Sequence, residues 1–80
     1  MELKEEIMGL IIDKAASLFS KDPASLNENT DFTDDLGAKS VNLVQIIAVL
    51  EEEYDVAIDY MAFRRAKTIG AAAEYVAGLF

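Results

Sequence analysis

The chain contains neither cysteine nor histidine in its 80 residues. Without cysteine there is no disulfide to staple the fold and no thiolate to attack a substrate or ligate a metal. Without histidine, a histidine general base, a Ser-His-Asp triad and a histidine metal ligand are excluded. Long apolar runs are missing too, and every stretch is interrupted well before membrane-spanning length. The first residues, Met1-Glu2-Leu3-Lys4-Glu5-Glu6, are unlike a secretory signal. A cytoplasmic location is therefore expected. Basic residues are scarce, with 7 Lys and Arg against 15 Asp and Glu and a net charge of -8. An acidic surface disfavours nucleic acid and anionic membrane as partners and favours basic protein surfaces. Its plainest purpose is solubility. The charge is uneven: residues 1–55 hold 13 acids and 4 bases, while residues 56–80 hold 2 acids and 3 bases.

The length fits one domain over residues 1–80, within the usual size of a single folding unit. An apolar fraction of 52% is enough for a single core, though so short a chain has little stability to spare. An enzyme would have to rely on carboxylates, lysines, tyrosines or hydroxyls. None of these serves near neutral pH without an unusual pKa, so no catalytic residue is expected.

Apolar spacing predicts a first helix from about Glu2 to Phe19. Leu3, Ile7, Ile11, Ala15 and Leu18 recur at three and four residues, with Leu10 and Ile12 widening the stripe. Ser20 and the Asp22-Pro23 step end it. Residues 20–39 are rich in Ser, Asn, Asp and Thr and lack strand periodicity. A connection of that length signals function or disorder, and Leu26, Phe32 and Leu36 argue for an ordered loop pinned to the core. Gly37 is placed to supply a dihedral that other residues resist. The second helix carries Leu43, Ile47, Leu50 and Tyr54 at spacings of four, three and four, with Ile46 beside them. Val41, Val44 and Ala48 form a second apolar line, read as a docking surface rimmed by Glu51, Glu52 and Glu53. A short third helix from Asp59 to about Ala66 is capped by Asp59 and anchored by Met61 and Phe63. Thr68 caps a last helix through Leu79, weakened a little by Gly70. The sum is an all-α, antiparallel four-helix bundle with three longer helices, one short third helix and a long first loop.

Other sites find less support. Asp31, Asp34 and Asp35 do not follow the spacing of an EF-hand loop. Weak divalent binding is the most that such a cluster suggests, and Asp31 serves equally well as the cap of a local turn. No metal site is expected, and there is no dinucleotide fingerprint or Walker loop.

Ser40 stands where the polar stretch Asp34-Asp35-Leu36-Gly37-Ala38-Lys39 gives way to the second helix. A serine there ordinarily caps the helix by accepting an amide hydrogen bond from the first turn. It also presents a hydroxyl on the loop side, where the helix dipole favours a phosphate.

Leu36-Gly37-Ala38-x-Ser40 and an apolar residue, with Leu50-Glu51-Glu52-Glu53-Tyr54 about ten residues on, resembles the acyl carrier protein family. The resemblance extends to helix lengths, the long first loop, acidic character and Ile58 before the short helix. It implies a 4'-phosphopantetheine attached to Ser40 through a phosphodiester, ending in a thiol that holds an acyl group as a thioester. The missing cysteine agrees, since the sulfur arrives with the cofactor. The resemblance further implies that Leu43, Ile46, Ile47, Leu50, Ile58, Ile69 and Ala72, core residues in any reading, line an acyl pocket. Val41, Val44, Ala48, Glu51 and Glu52 lie on the helix that partners read. A phosphopantetheinyl transferase, acyl-loading enzymes and acyl-processing enzymes of fatty-acid, lipid or specialised-metabolite biosynthesis are the implied partners, the acyl chain is the cargo, and the carrier is a monomer.

The chain departs from the family in charge. Lys39 replaces the aspartate that usually precedes the modified serine, an acid associated with transferase recognition. Lysine there slows modification, demands a matched transferase or pairs with the attached phosphate. Asn42 and Gln45 stand where acids are common, and the short helix carries Tyr60, Met61, Arg64 and Arg65 in place of acids. Lys39, Arg64 and Arg65 are therefore read as partner-recognition residues of a specialised carrier, on which enzymes of ordinary fatty-acid synthesis dock poorly. The alternatives are an aminoacyl or peptidyl carrier and an unmodified helical adaptor in which Ser40 is only a cap.

Overall fold

A computed structural model describes residues 2–80, and in it four α-helices surround one core. They are α1 (Leu3–Phe19), α2 (Ser40–Tyr54), α3 (Tyr60–Ala66) and α4 (Ile69–Ala77), and a single 3-10 turn at Pro23–Ser25 lies in the first loop. The expected bundle is present, with its short third helix and long first loop. No helix among the described residues is long and apolar enough to cross a membrane.

Several helix ends have a local reason. Glu2 is extended and stands before α1, so that helix starts one residue later than expected. Glu5 and Glu6 lie in its first turn, where acids suit the positive end of the dipole. Ser20 closes α1 in the left-handed region at φ 55°, with the Lys21 N–H bonded to the Ala16 carbonyl, a common way to end a helix. Asp59 and Thr68 cap α3 and α4 as expected, accepting from the amides of Met61 and Ala71 at 3.0 and 3.2 Å. The last helix stops at Ala77, short of Leu79, where the bonding tightens: the Leu79 N–H reaches the Val76 carbonyl at 3.0 Å, three residues back instead of four.

The predicted core faces are the buried ones, with Ile7, Ile11 and Ala15 of α1 and Leu43, Ile46, Ile47 and Leu50 of α2 all inside. Phe63 is fully buried, but Met61 is not the expected anchor and stays 43% exposed. Two residues along a helix is more than half a turn, so Met61 must face away from the side that buries Phe63.

The first loop is ordered because it is bonded to the other end of the chain. The Phe32 N–H donates to the Lys67 carbonyl at 2.9 Å, the Ile69 N–H to Thr30 at 3.0 Å and the Gly70 N–H to Glu28 at 2.9 Å. The last two bonds satisfy amides in the first turn of α4 that no helix can satisfy for itself. They also bring Phe32 against Phe63, with ring centroids 5.7 Å apart. Gly70 is required by this approach: a Cβ there would lie 2.7 Å from the Glu28 Cβ and 2.9 Å from the Glu28 carbonyl oxygen. The weakening it brings to α4 is the condition of letting the loop in.

At the far end of α2, the Tyr54 hydroxyl is shut off from solvent without a hydrogen bond. Its ring meets Phe80 edge-on at 5.7 Å. Burial raises the phenol pKa above its ordinary value, and the nearby Glu6 and Glu53 carboxylates push it further the same way.

Two substitutions of glycine by alanine should act in opposite directions. Gly70→Ala should lower unfolding stability by about 1–3 kcal/mol, because backbone must shift to admit the methyl. At Gly9, nothing lies within 4 Å of the added carbon. Gly9→Ala should therefore raise stability by about 0.5–1 kcal/mol through helix propensity. Urea denaturation of both variants measures the pair. The raised Tyr54 pKa sets a second expectation. Below the ordinary value of 10.0 the phenol is neutral folded and unfolded, whereas above it the unfolded chain ionises first. Stability should therefore fall as pH rises past that value, and Tyr54→Phe should reduce the fall between neutral pH and about pH 11. Equal losses in parent and variant would show that Tyr54 is not responsible.

Candidate functional site

The approach to Ser40 is a compact set of turns. The Asp31 carboxylate accepts from the amides of Thr33 and Asp34, each at 2.8 Å, and the Asp35 carboxylate accepts from the Asp31 amide at 2.7 Å. This is the local capping role expected for Asp31. No group of three or more metal-ligating side chains is placed to hold an ion among the described residues. Gly37 follows in the left-handed region at φ 62°, the conformation that favours glycine. The Ala38 N–H then returns to the Phe32 carbonyl at 2.8 Å. Phe32, fixed in the core, thereby fixes the start of α2.

Ser40 is not the cap of α2, contrary to the ordinary expectation for a serine at this junction. Lys39 is the N-cap residue, and Ser40 is already the first helical residue. Its hydroxyl is exposed and has no hydrogen-bond partner among the described residues. The cap comes from inside the helix: the Asn42 side-chain oxygen accepts from the Lys39 N–H at 2.9 Å. A lysine side chain has no acceptor with which to return the bond, so only half of a reciprocal capping box forms. Asn42, which in the sequence stands out only for lacking a charge, thus holds the start of α2.

Beside Ser40 opens a cleft of about 330 Å³ lined by Lys39, Ser40, Leu43, Tyr60, Arg64 and Lys67, among others. No carboxylate lines it, although Asp and Glu outnumber Lys and Arg by 15 to 7 in the chain. Arg64 and Lys67 also border a neighbouring hollow that contains Asp31 and Asp34. They form no ion pair with either one. The one ion pair among the described residues joins Lys4 to Glu74 at 3.8 Å, away from the cleft.

Nothing in the sequence singles out Lys67, and its backbone explains why. It lies at φ 69°, ψ -45°, and the Thr68 N–H bonds back to the Ala66 carbonyl at 2.8 Å. That is a γ-turn with positive φ at its centre, a rare and strained form costing about 1–3 kcal/mol. Tertiary bonding imposes it, since the Lys67 carbonyl must meet the Phe32 amide. No local sequence signal announces such a turn.

The remaining candidates divide by burial. Val41 and Val44 are 60% and 51% exposed, and Ala48 and Glu52 are exposed beside them, so the second apolar line of α2 is an open face. Glu51 is half-buried, and its carboxylate accepts from the Ile58 N–H at 2.9 Å. One of its oxygens therefore works on the α2–α3 connection. Arg65 is exposed and does not line the cleft. Among the seven acyl-pocket candidates, Leu43 lines the cleft beside Ser40, and all seven are packed in the core at no more than 8% exposure.

The donor set at the cleft fits a phosphodiester. Ser40 offers an exposed, uncommitted oxygen, and Lys39, Arg64 and Lys67 offer positive charge without a competing carboxylate on the same wall.

Comparison with known proteins gives a consistent result. The family described as a phosphopantetheine attachment site matches residues 9–76. An acyl carrier protein of Lactobacillus acidophilus is 40% identical over 73 residues, covering 91% of each chain. One of Chlamydia felis is 30% identical over 76 residues, covering 95% of this chain and 92% of that protein. The solved structure of an acyl carrier protein from Enterococcus faecalis covers 99% of this chain and 100% of that one, with a TM-score of 0.79 at 22% identity, a likeness of fold.

The capping arrangement makes a direct prediction. Ser40→Ala should change stability by no more than about 0.5 kcal/mol, the range of substitutions that touch no special feature. Asn42→Ala should cost about 1 kcal/mol by removing the cap. Chemical denaturation of the two variants decides it, and the reverse ranking would return the cap to Ser40.

Proposed function

The chain belongs to the phosphopantetheine-attachment family of carrier proteins, and from that membership we propose that Ser40 is the residue bearing its 4'-phosphopantetheine. The protein is an acyl carrier and not a catalyst: it holds acyl groups as thioesters and presents them to biosynthetic enzymes. When bound, the arm supplies the thiol that this chain lacks. Ser40 supplies the oxygen of the phosphodiester. The observation that carries the assignment is its exposed hydroxyl at the first position of α2, free of any capping bond.

The chain's other residues have separable tasks in this reading. Asn42 keeps α2 fastened whether or not Ser40 is modified. Val41, Val44 and Ala48 offer an apolar contact face, with Glu52 at its rim to meet basic groups on a phosphopantetheinyl transferase or an acyl-processing enzyme. Lys39, Arg64 and Arg65 distinguish this carrier from acidic relatives and fit it to partners of matching charge. The seven core candidates receive an acyl chain only if the helices part, because they are closed together here. A cytoplasmic setting, with coenzyme A and the transferase at hand, completes the proposal.

Intact mass before and after incubation with coenzyme A and a broad-specificity phosphopantetheinyl transferase is the test. The parent should gain one phosphopantetheine and Ser40→Ala none. Lys39→Asp should load at least as fast as the parent. Val44→Glu should slow loading severalfold without loss of fold, since the Val44 side chain is largely open to solvent on the apolar contact face. Failure of both the parent and Lys39→Asp to load would displace the carrier reading in favour of an unmodified adaptor.

A further inference from the structure

We propose that Lys39, Arg64 and Lys67 form a cationic cleft that takes the phosphodiester on Ser40 and holds it against the protein. The proposal rests on Ser40 carrying the arm and goes beyond it by assigning a binding site to the phosphate.

Three observations converge on this cleft. The first is charge: three of the chain's 7 basic residues line one hollow beside Ser40, and no carboxylate does. In a chain of net charge -8, like charges are gathered here against the average composition. The second is pairing. None of the three cations is in an ion pair among the described residues. Asp31 and Asp34 border only the adjoining hollow, where one oxygen of the Asp31 carboxylate, Oδ1, already accepts from two backbone amides. A phosphate oxygen would therefore meet donors that the fold has left free.

The third is strain. Lys67 occupies the centre of a γ-turn at φ 69°, where glycine would sit more easily. The bond from Phe32 explains the backbone conformation but not the choice of side chain. A lysine at that position brings a charge to the wall of the Ser40 cleft. Lys39 and Arg64 reach the same cleft from the N-cap of α2 and from α3. Lysine before the serine, an apparent obstacle when read alone, becomes one of three groups serving the same anion.

The test uses apo and loaded protein, each verified by intact mass, with thermal unfolding and phosphorus NMR as readouts. The parent should melt higher when loaded, and most of the gain should vanish at about 0.5 M NaCl, where exposed charges are strongly screened. The double variant Arg64→Gln, Lys67→Gln should lose at least half of the low-salt gain, and its phosphorus shift should move toward that of free phosphopantetheine. Lys21→Gln removes a charge outside the cleft and should keep the gain. Lys67→Gly separates the site from the fold: its apo form should melt at or above the parent, as strain is relieved, while the gain on loading shrinks. An equal gain in parent and cleft variants, or a parent phosphorus signal identical to that of the free arm, would overturn the proposal. Failure of the parent to load, seen first in the mass, would remove this site, and failure of Lys39→Asp as well would remove the Ser40 assignment with it.

Discussion

The structure depends on a short backbone seam between the first loop and the α3–α4 junction. Three hydrogen bonds, from Phe32 to Lys67, Ile69 to Thr30 and Gly70 to Glu28, join segments far apart in sequence. They satisfy amides at the start of α4, set Phe32 against Phe63 and turn a long polar stretch into a fixed element. The Ala38 amide then hangs from the Phe32 carbonyl, so the start of α2 inherits its position from the same seam. Strain at Lys67 and the missing side chain at Gly70 are its local consequences. Ser40 is thus placed by tertiary bonding relayed through one aromatic residue, and a helix propensity alone would not place it.

Elements governed by local physics are legible in the sequence. The buried stripes of α1 and α2 follow from apolar spacing, and the caps Asp59 and Thr68 follow from their side-chain oxygens. Gly37 follows from its place in a tight reversal. Three features are not legible, each for a physical reason. Serine is a good cap and lysine a poor one, which points to Ser40 at the start of α2, yet Asn42 reaches back from within the helix. Met61 looks like an anchor because it is apolar, but a seven-residue helix buries one narrow side and Phe63 takes it. Lys67 gives no signal because its conformation is forced by Phe32, a residue distant in the sequence. The meeting of Arg64 and Ser40 on the lining of one cleft belongs to the same class. Composition announces an uneven charge, and only the fold shows where the positive end of that unevenness lies.

That placement gives the acidic surface two regions of different character. The α2 face combines exposed valines with Glu52, while the cleft beside Ser40 is cationic. Salt screens exposed charges from one another beyond a Debye length, about 8 Å at physiological ionic strength, so the groups nearest Ser40 dominate the field there. A partner that docked on α2 beside Ser40 would meet apolar and acidic groups along the helix and basic groups at the cleft. Discrimination arises from the mismatch a wrong partner would suffer as much as from the contacts a right one gains. If Ser40 carries the arm as proposed, neutralising the cationic cleft with its phosphate would change that electrostatic pattern, and loaded and unloaded forms would differ at the surface as well as in covalent structure.

The separation of capping from modification completes the argument. A domain of 80 residues has a total stability of about 4–12 kcal/mol at ordinary values per residue. A helix cap is worth about 0.5–2 kcal/mol. Were the Ser40 hydroxyl the cap, each modification would divert it and draw on a substantial part of that total. The helix that partners read would then loosen whenever the arm was attached. With Asn42 holding the Lys39 amide, the covalent state of Ser40 is largely uncoupled from the stability of α2. The cleft reintroduces a coupling of the opposite sign: a phosphate held by Lys39, Arg64 and Lys67 exists only in the folded, modified protein and stabilises it by linkage. Modification of the site can then tighten the fold that presents it.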